Sequence, residues 1–103
     1  MAHVKIEHRD LFEALGSIKK QSQWLKAAEF LGFRITSGGK HPYVIRDKEN
    51  TEDGDLRSSI STIPSHLHRT INQMIFRQLL ESPVSERMGI SEDDIWRALK
   101  LLK

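Results

Sequence analysis

The residues best equipped for chemistry fall in two short stretches, Gly38-Gly39-Lys40-His41-Pro42-Tyr43 and His66-Leu67-His68-Arg69. Imidazole exchanges its proton near neutral pH, with an unperturbed pKa of about 6.5, so His41 can act as a general base or a general acid. Gly38 and Gly39 carry no Cβ, which lets an anion approach the backbone amides beside the histidine. The Lys40 ammonium complements negative charge that gathers on an oxygen during reaction. This set suits a phosphodiester of RNA, where the 2′-hydroxyl is a built-in nucleophile and no metal is obligatory. Tyr43 can stack on a base, Arg46 and Arg69 can guide the strand, and His68, ahead of His66, is the candidate second proton carrier.

Each residue also has a plainer reading. A histidine in a glycine-rich turn is, by itself, more often structural than catalytic. Tyr43 sits in a β-favouring run, where strand packing is the commoner role. Lys40 and Arg46 fit solvated charges as well as they fit ligands. The His66-Leu67-His68 pair lacks the carboxylate support of a metal centre, so neither a metal nor any other cofactor is predicted. His3 and His8 stand apart from both stretches and read as incidental.

The elements that must position these residues follow from periodicity. Trp24, Leu25, Ala28 and Leu31 recur at helical spacing and Gly32 follows where a left-handed cap belongs, which predicts a helix over 22–31. The period then drops to two. Phe33 and Ile35 alternate with Arg34 and Thr36, Ser37 to Lys40 supply a turn, and 41–46 contains Tyr43-Val44-Ile45, a predicted hairpin. Residues 47–55 are polar and acidic and read as a surface loop. A third strand over 58–63 is closed by Pro64, which lacks a ladder donor.

Ile71, Met74, Ile75 and Leu79 then mark an amphipathic helix over 69–81, limited by Pro83. A short helix is predicted over 10–15, with Asp10 as its N-cap and Gly16 as its stop. Ser91-Glu92-Asp93-Asp94 resembles a capping box, opening a last helix over 92–102 with Ile95, Trp96, Leu99 and Leu102 on its apolar face. Trp24 and Trp96 read as core anchors. Helix, helix, three strands, helix, helix is an α+β order, and it favours one three-stranded antiparallel sheet covered by helices on one face.

Length and composition bound what the chain can be. At 103 residues, with 38% hydrophobic and 29% charged residues, it is sized for one globular domain and is neither fibrous nor disordered in character. Apolar runs never exceed three residues, so no membrane-spanning helix is predicted. The charged first ten residues lack a secretory core and there is no cysteine, which together point to a cytoplasmic protein stabilised by packing. The net charge of +2 conceals a pattern. Six cations oppose only Glu29 over 17–46, five acids oppose only Lys48 over 47–55, and three arginines are the sole charges over 56–80. Two basic segments flanking an acidic loop fit a polyanion partner if the fold brings the basic ones together.

The block over 22–81 resembles the HicA (YcfA-like) family of bacterial mRNA interferase toxins. The residues that carry the resemblance are Leu31-Gly32-Phe33 ahead of a strand, Gly38-Gly39-Lys40-His41 at a turn, Thr62-Ile63-Pro64 closing a strand, and His68-Arg69-Thr70-Ile71-Asn72 opening a helix. The resemblance implies an α-β-β-β-α core like that of double-stranded-RNA-binding domains, extended by helical residues over 1–21 and 82–103. It implies that His41 is the catalytic histidine, with Lys40 standing where the family has serine or asparagine. It also implies mRNA as substrate and a HicB-like antitoxin protein as partner. Two other functions fit the same residues: a non-catalytic RNA-binding domain, and a protein-interaction module whose terminal helices form the working face.

Overall fold

Gly32 is where helix gives way to sheet. The computed structural model describes residues 6–37, 42–52 and 56–102. Helix α1 (Arg9–Glu13) runs into a 3-10 turn over Ala14–Ser17, and α2 (Gln21–Leu31) follows. Gly32 closes α2 at φ 97°, a left-handed conformation that glycine adopts without a Cβ clash, and the Phe33 amide returns to the Ala28 carbonyl at 2.9 Å. Strands β1 (Arg34–Ser37), β2 (Tyr43–Arg46) and β3 (Ser59–Ile63) form an antiparallel sheet in that order, and a 3-10 turn over Leu56–Ser58 leads into β3. Helices α3 (Arg69–Glu81), α4 (Pro83–Met88) and α5 (Glu92–Ala98) complete the chain.

The expected α+β architecture with a three-stranded antiparallel sheet is therefore present. Ile45 and Ile63 point into the core from the helix side, as does Ser61, whose hydroxyl donates to Gln78 Oε1 of α3 at 2.6 Å. The opposite face of β2 carries Val44 and Arg46, as the two-residue alternation requires. One apolar cluster joins the start of the chain, the sheet and the helices: Ile6, Phe12, Leu15 and Ile18 from the start, Trp24 and Ala28 from α2, Ile45 and Ile63 from the sheet, Ile75, Phe76 and Leu79 from α3, and Ile95 and Trp96 from α5. Both tryptophans are fully buried, in the anchoring role their helical spacing predicts. Trp96 stacks on Phe76 at 4.1 Å between ring centroids, and Phe12 meets Phe76 edge-on at 5.9 Å, both favourable aromatic geometries. No described helix is long and apolar enough to cross a membrane.

Four local expectations are corrected. The first helix is capped by His8 rather than Asp10, because Glu92 of α5 accepts the amides of Glu7 and His8 at 2.7 and 2.8 Å and fixes where the chain begins to coil. Gly16 does not stop it, since the chain continues through the 3-10 turn to Ser17. Pro83 ends α3 but also occupies the first turn of the unexpected α4, where its missing N–H is no loss and Ser82 Oγ accepts from the Val84 amide at 3.1 Å. The last helix ends at Ala98 rather than Leu102. Lys100 turns to φ 63° there, and the amides of Leu101 and Leu102 fold back on the Trp96 carbonyl. The predicted capping box is present, with Ser91 Oγ accepting from the Asp94 amide and Asp94 Oδ2 accepting from the Ser91 amide.

Candidate functional site

Strand register decides which residues meet. Ser37 pairs with Tyr43, and Tyr43 pairs with Ile63, so the end of β1, the start of β2 and the end of β3 share one end of the sheet. The β1–β2 connection departs from this end, and so does the segment leading from Ile63 to α3. The start of α2 is fastened to it as well, because Gln21 Nε2 donates to the Ile63 carbonyl at 3.0 Å. Gln23 Oε1 accepts the amides of both Lys19 and Lys20 at 3.0 Å, which orders the two lysines at the helix entrance. Gly16 packs beside Arg69, close enough that a Cβ there would stand 3.4 Å from the Arg69 Cβ.

Lys19, Lys20, His66, His68 and Arg69 are all exposed at this end. Arg69 lies 3.9 Å from the Glu13 carboxylate, with both side chains exposed, a contact worth little in water. His68 caps α3 through its backbone, accepting the Asn72 amide at 2.9 Å, while its ring makes no capping bond. Tyr43 is 36% exposed. This end of the sheet thus exposes three cations, two imidazoles and a partly exposed aromatic ring, groups that a polyanion can engage.

Of the residues singled out in the sequence, Tyr43, His68 and Arg69 are gathered here. Gly38, Gly39, Lys40 and His41 lie outside the described residues. Arg46 stands three residues along β2, about 10 Å away at strand rise, at the other end of the sheet. Its guanidinium donates to Thr36 Oγ1 at 2.8 Å and to Ser58 Oγ at 2.9 Å, so it ties β1 and the turn leading into β3 to the central strand. Lys19 and Lys20 join the site although only their charge was visible in the sequence. Their position depends on the Gln21–Ile63 bond, which spans 42 residues.

The acidic loop starts at the opposite end. Asp47 is buried and accepts from Arg87 of α4 at 2.8 Å, with Glu49 3.5 Å from the same guanidinium. The Arg87 hydrogen bond leads in holding the Asp47 carboxyl below its usual range; burial opposes this, and the Glu49 amide and the charges of Arg87 and Arg34 assist. Asp47 is thus a tether for α4. His8, incidental by its sequence position, places Nε2 2.9 Å from Asp93 Oδ1 and helps bind the start of the chain to α5. Among the described residues no group of three His, Asp or Glu side chains is assembled to hold a metal ion. Comparison of the chain with protein-family models, with curated proteins and with solved structures finds no match in any of the three.

Proposed function

We propose that this chain is a toxin-type, metal-independent endoribonuclease that cleaves mRNA by histidine acid–base catalysis and is neutralised by a HicB-like antitoxin. In this reading α2-β1-β2-β3-α3 is a core of the double-stranded-RNA-binding-domain type, as in the HicA family that the sequence resembles. The observation that carries the proposal is the shared end of the sheet. Ser37 and Tyr43, which bracket His41 in the sequence, pair at the same end of the sheet that presents Lys19, Lys20, His68 and Arg69.

The proposed chemistry uses no cofactor. One imidazole, assigned to His41, removes the proton from the 2′-hydroxyl as its oxygen attacks phosphorus. The bond to the 5′ oxygen breaks and that oxygen receives a proton from a second imidazole, for which His68 is the candidate. The products are a 2′,3′-cyclic phosphate and a 5′-hydroxyl. Negative charge building on the phosphorus oxygens is met by Lys40, with Lys20 and Arg69 drawing the backbone in. Tyr43 offers a flat face to a neighbouring base. An antitoxin that covers this end would block both substrate binding and proton transfer.

The test is incubation of the purified chain with RNA in the presence of a chelator, beside a His41→Ala variant. Loss of the general base should slow cleavage by about 10² to 10⁴ fold and leave RNA binding in place. Cleavage that is indifferent to the substitution, or that stops on chelation, would sink the proposal. RNA bound by both proteins and cut by neither would identify a binding domain instead.

A further inference from the structure

An open groove of about 700 Å³ runs between Ser59 and Ile60 of β3, an outer strand of the sheet, and one face of α3. The helix lines it with Thr70, Gln73, Met74, Arg77, Gln78 and Glu81, a stripe at three- and four-residue spacing, while Ile60 and Phe12 give it an apolar base. Ile60 is there because of a bulge: Ile45 pairs with Ser61 and Arg46 with Ser59, so Ile60 is the unpaired extra residue. Beyond it Ser61-Thr62-Ile63 forms an uncharged outer edge of the sheet, bounded by the bulge on one side and by Pro64 on the other, with the Gln21 amide on the Ile63 carbonyl. Met74 is 46% exposed in the groove. The one cation of the stripe, Arg77, lies 3.5 Å from its one anion, Glu81, which makes the stripe neutral.

We infer that this groove is the interface between two copies of the chain, joined by antiparallel pairing of their β3 edges about a two-fold axis at Thr62. The Ser61–Gln78 bond sets strand residue 61 level with helix residue 78. A strand rises about 3.3 Å per residue and a helix about 1.5 Å, so on the antiparallel α3 the level of Thr62 falls near residue 76. An axis at that point, perpendicular to the sheet, keeps both α3 helices on one face. It sets Met74 opposite Arg77 of the second copy, Gln73 opposite Gln78, and Thr70 opposite Glu81.

No like charges meet in that register. The methionine lies along an arginine stem, the two amides can bond each other, and the threonine hydroxyl can donate to the carboxylate. Self-complementarity of this kind is what an isologous interface demands, and a neutral stripe gives a strongly charged foreign partner little to grip. The interface does not depend on the RNA reading of the other surface.

Sedimentation equilibrium of the full chain over a concentration range tests it, with Met74→Arg and Met74→Glu as variants and thermal melts to verify folding. The wild type should approach twice the 11.9 kDa chain mass. Met74→Arg faces Arg77 of the second copy twice over, and should weaken association by roughly tenfold or more. Met74→Glu meets the same arginine with opposite charge and should associate at least as well as the wild type. A wild type that stays monomeric throughout overturns the inference and leaves the groove to an extended segment of another protein. A dimer that tolerates Met74→Arg, or that both variants weaken alike, overturns the proposed register and face.

Discussion

The indole N–H of Trp24 donates to Oδ1 of Asn72 at 3.0 Å, a fully buried bond that joins α2 to α3 across 48 residues of sequence. The Asn72 amide nitrogen is equally committed, donating to the carbonyls of Leu15 at 2.7 Å and Ile18 at 2.9 Å. One side chain thus fastens the two helices that flank the sheet and the turn that precedes them. Asn72 belongs to the stretch on which the HicA resemblance rests, and here its work is structural.

Replacing Asn72 by alanine would strand the Trp24 indole donor and the Ile18 carbonyl in the core, while the Leu15 carbonyl keeps the Ile18 amide. At roughly 1 to 3 kcal/mol for each unsatisfied group, Asn72→Ala should cost about 2 kcal/mol or more. Urea unfolding measures this directly. A loss under about 1 kcal/mol would mean that the network relaxes or admits water.

Glu92 predicts a pH dependence. Burial alone would raise its pKa, but the Glu7 amide, the Trp96 indole, the His8 amide and the His8 charge outweigh that and hold it below the ordinary glutamate value. A folded-state pKa below the unfolded one means that the contribution is complete above the unfolded value of about 4.3 and is lost as pH falls through the folded value. Stability should therefore stay level from neutral pH to about 5 and decline below it. Glu92→Gln should be less stable at neutral pH and should show a shallower acid decline. Asp47, lowered in the same direction, keeps part of the slope. Melting temperatures across this range that fall in parallel for both proteins would refute the assignment.

The basic end predicts a salt signature. Each phosphate-neutralising cation adds about 0.7 to the slope of log affinity against log salt for single-stranded RNA. Lys19→Ala, Lys20→Ala and Arg69→Ala should each weaken binding and reduce that slope by about this amount. Lys48, exposed in the acidic loop at the other end, supplies the control. Equal effects from Lys48→Ala would show that RNA does not select this end.

Ser85 predicts a substitution that does no harm. It is fully buried in α4, and among the described residues its hydroxyl has no hydrogen-bond partner. Ser85→Ala removes an uncompensated polar atom and should leave stability unchanged or raise it by up to about 1 kcal/mol. A lower melting temperature would reveal a bond to an internal water.

What could be read from the residues in order was local. The spacing of Trp24, Ala28 and Leu31 ahead of Gly32, the alternation around Tyr43-Val44-Ile45, and the Ser91–Asp94 box each bind a residue to neighbours within a turn or a pleat. For that reason α2, the three strands, α3 and the start of α5 were legible. Pro83 was ambiguous, because a residue without an N–H closes one helix and opens another equally well. Only Ser82 Oγ on the Val84 amide resolves it.

The start of α1 and the make-up of the basic end belong to the tertiary structure. Glu92 sets the first helix from 85 residues away, and the start of α2, with Lys20, is fastened to the end of β3 only when Gln21 bonds Ile63 and β2 takes its register between β1 and β3. Periodicity and caps operate over a few residues and are written into the sequence as spacing. Strand pairing and side-chain to backbone bonds between distant segments depend on which partners survive the burial of one shared core, and that outcome is collective.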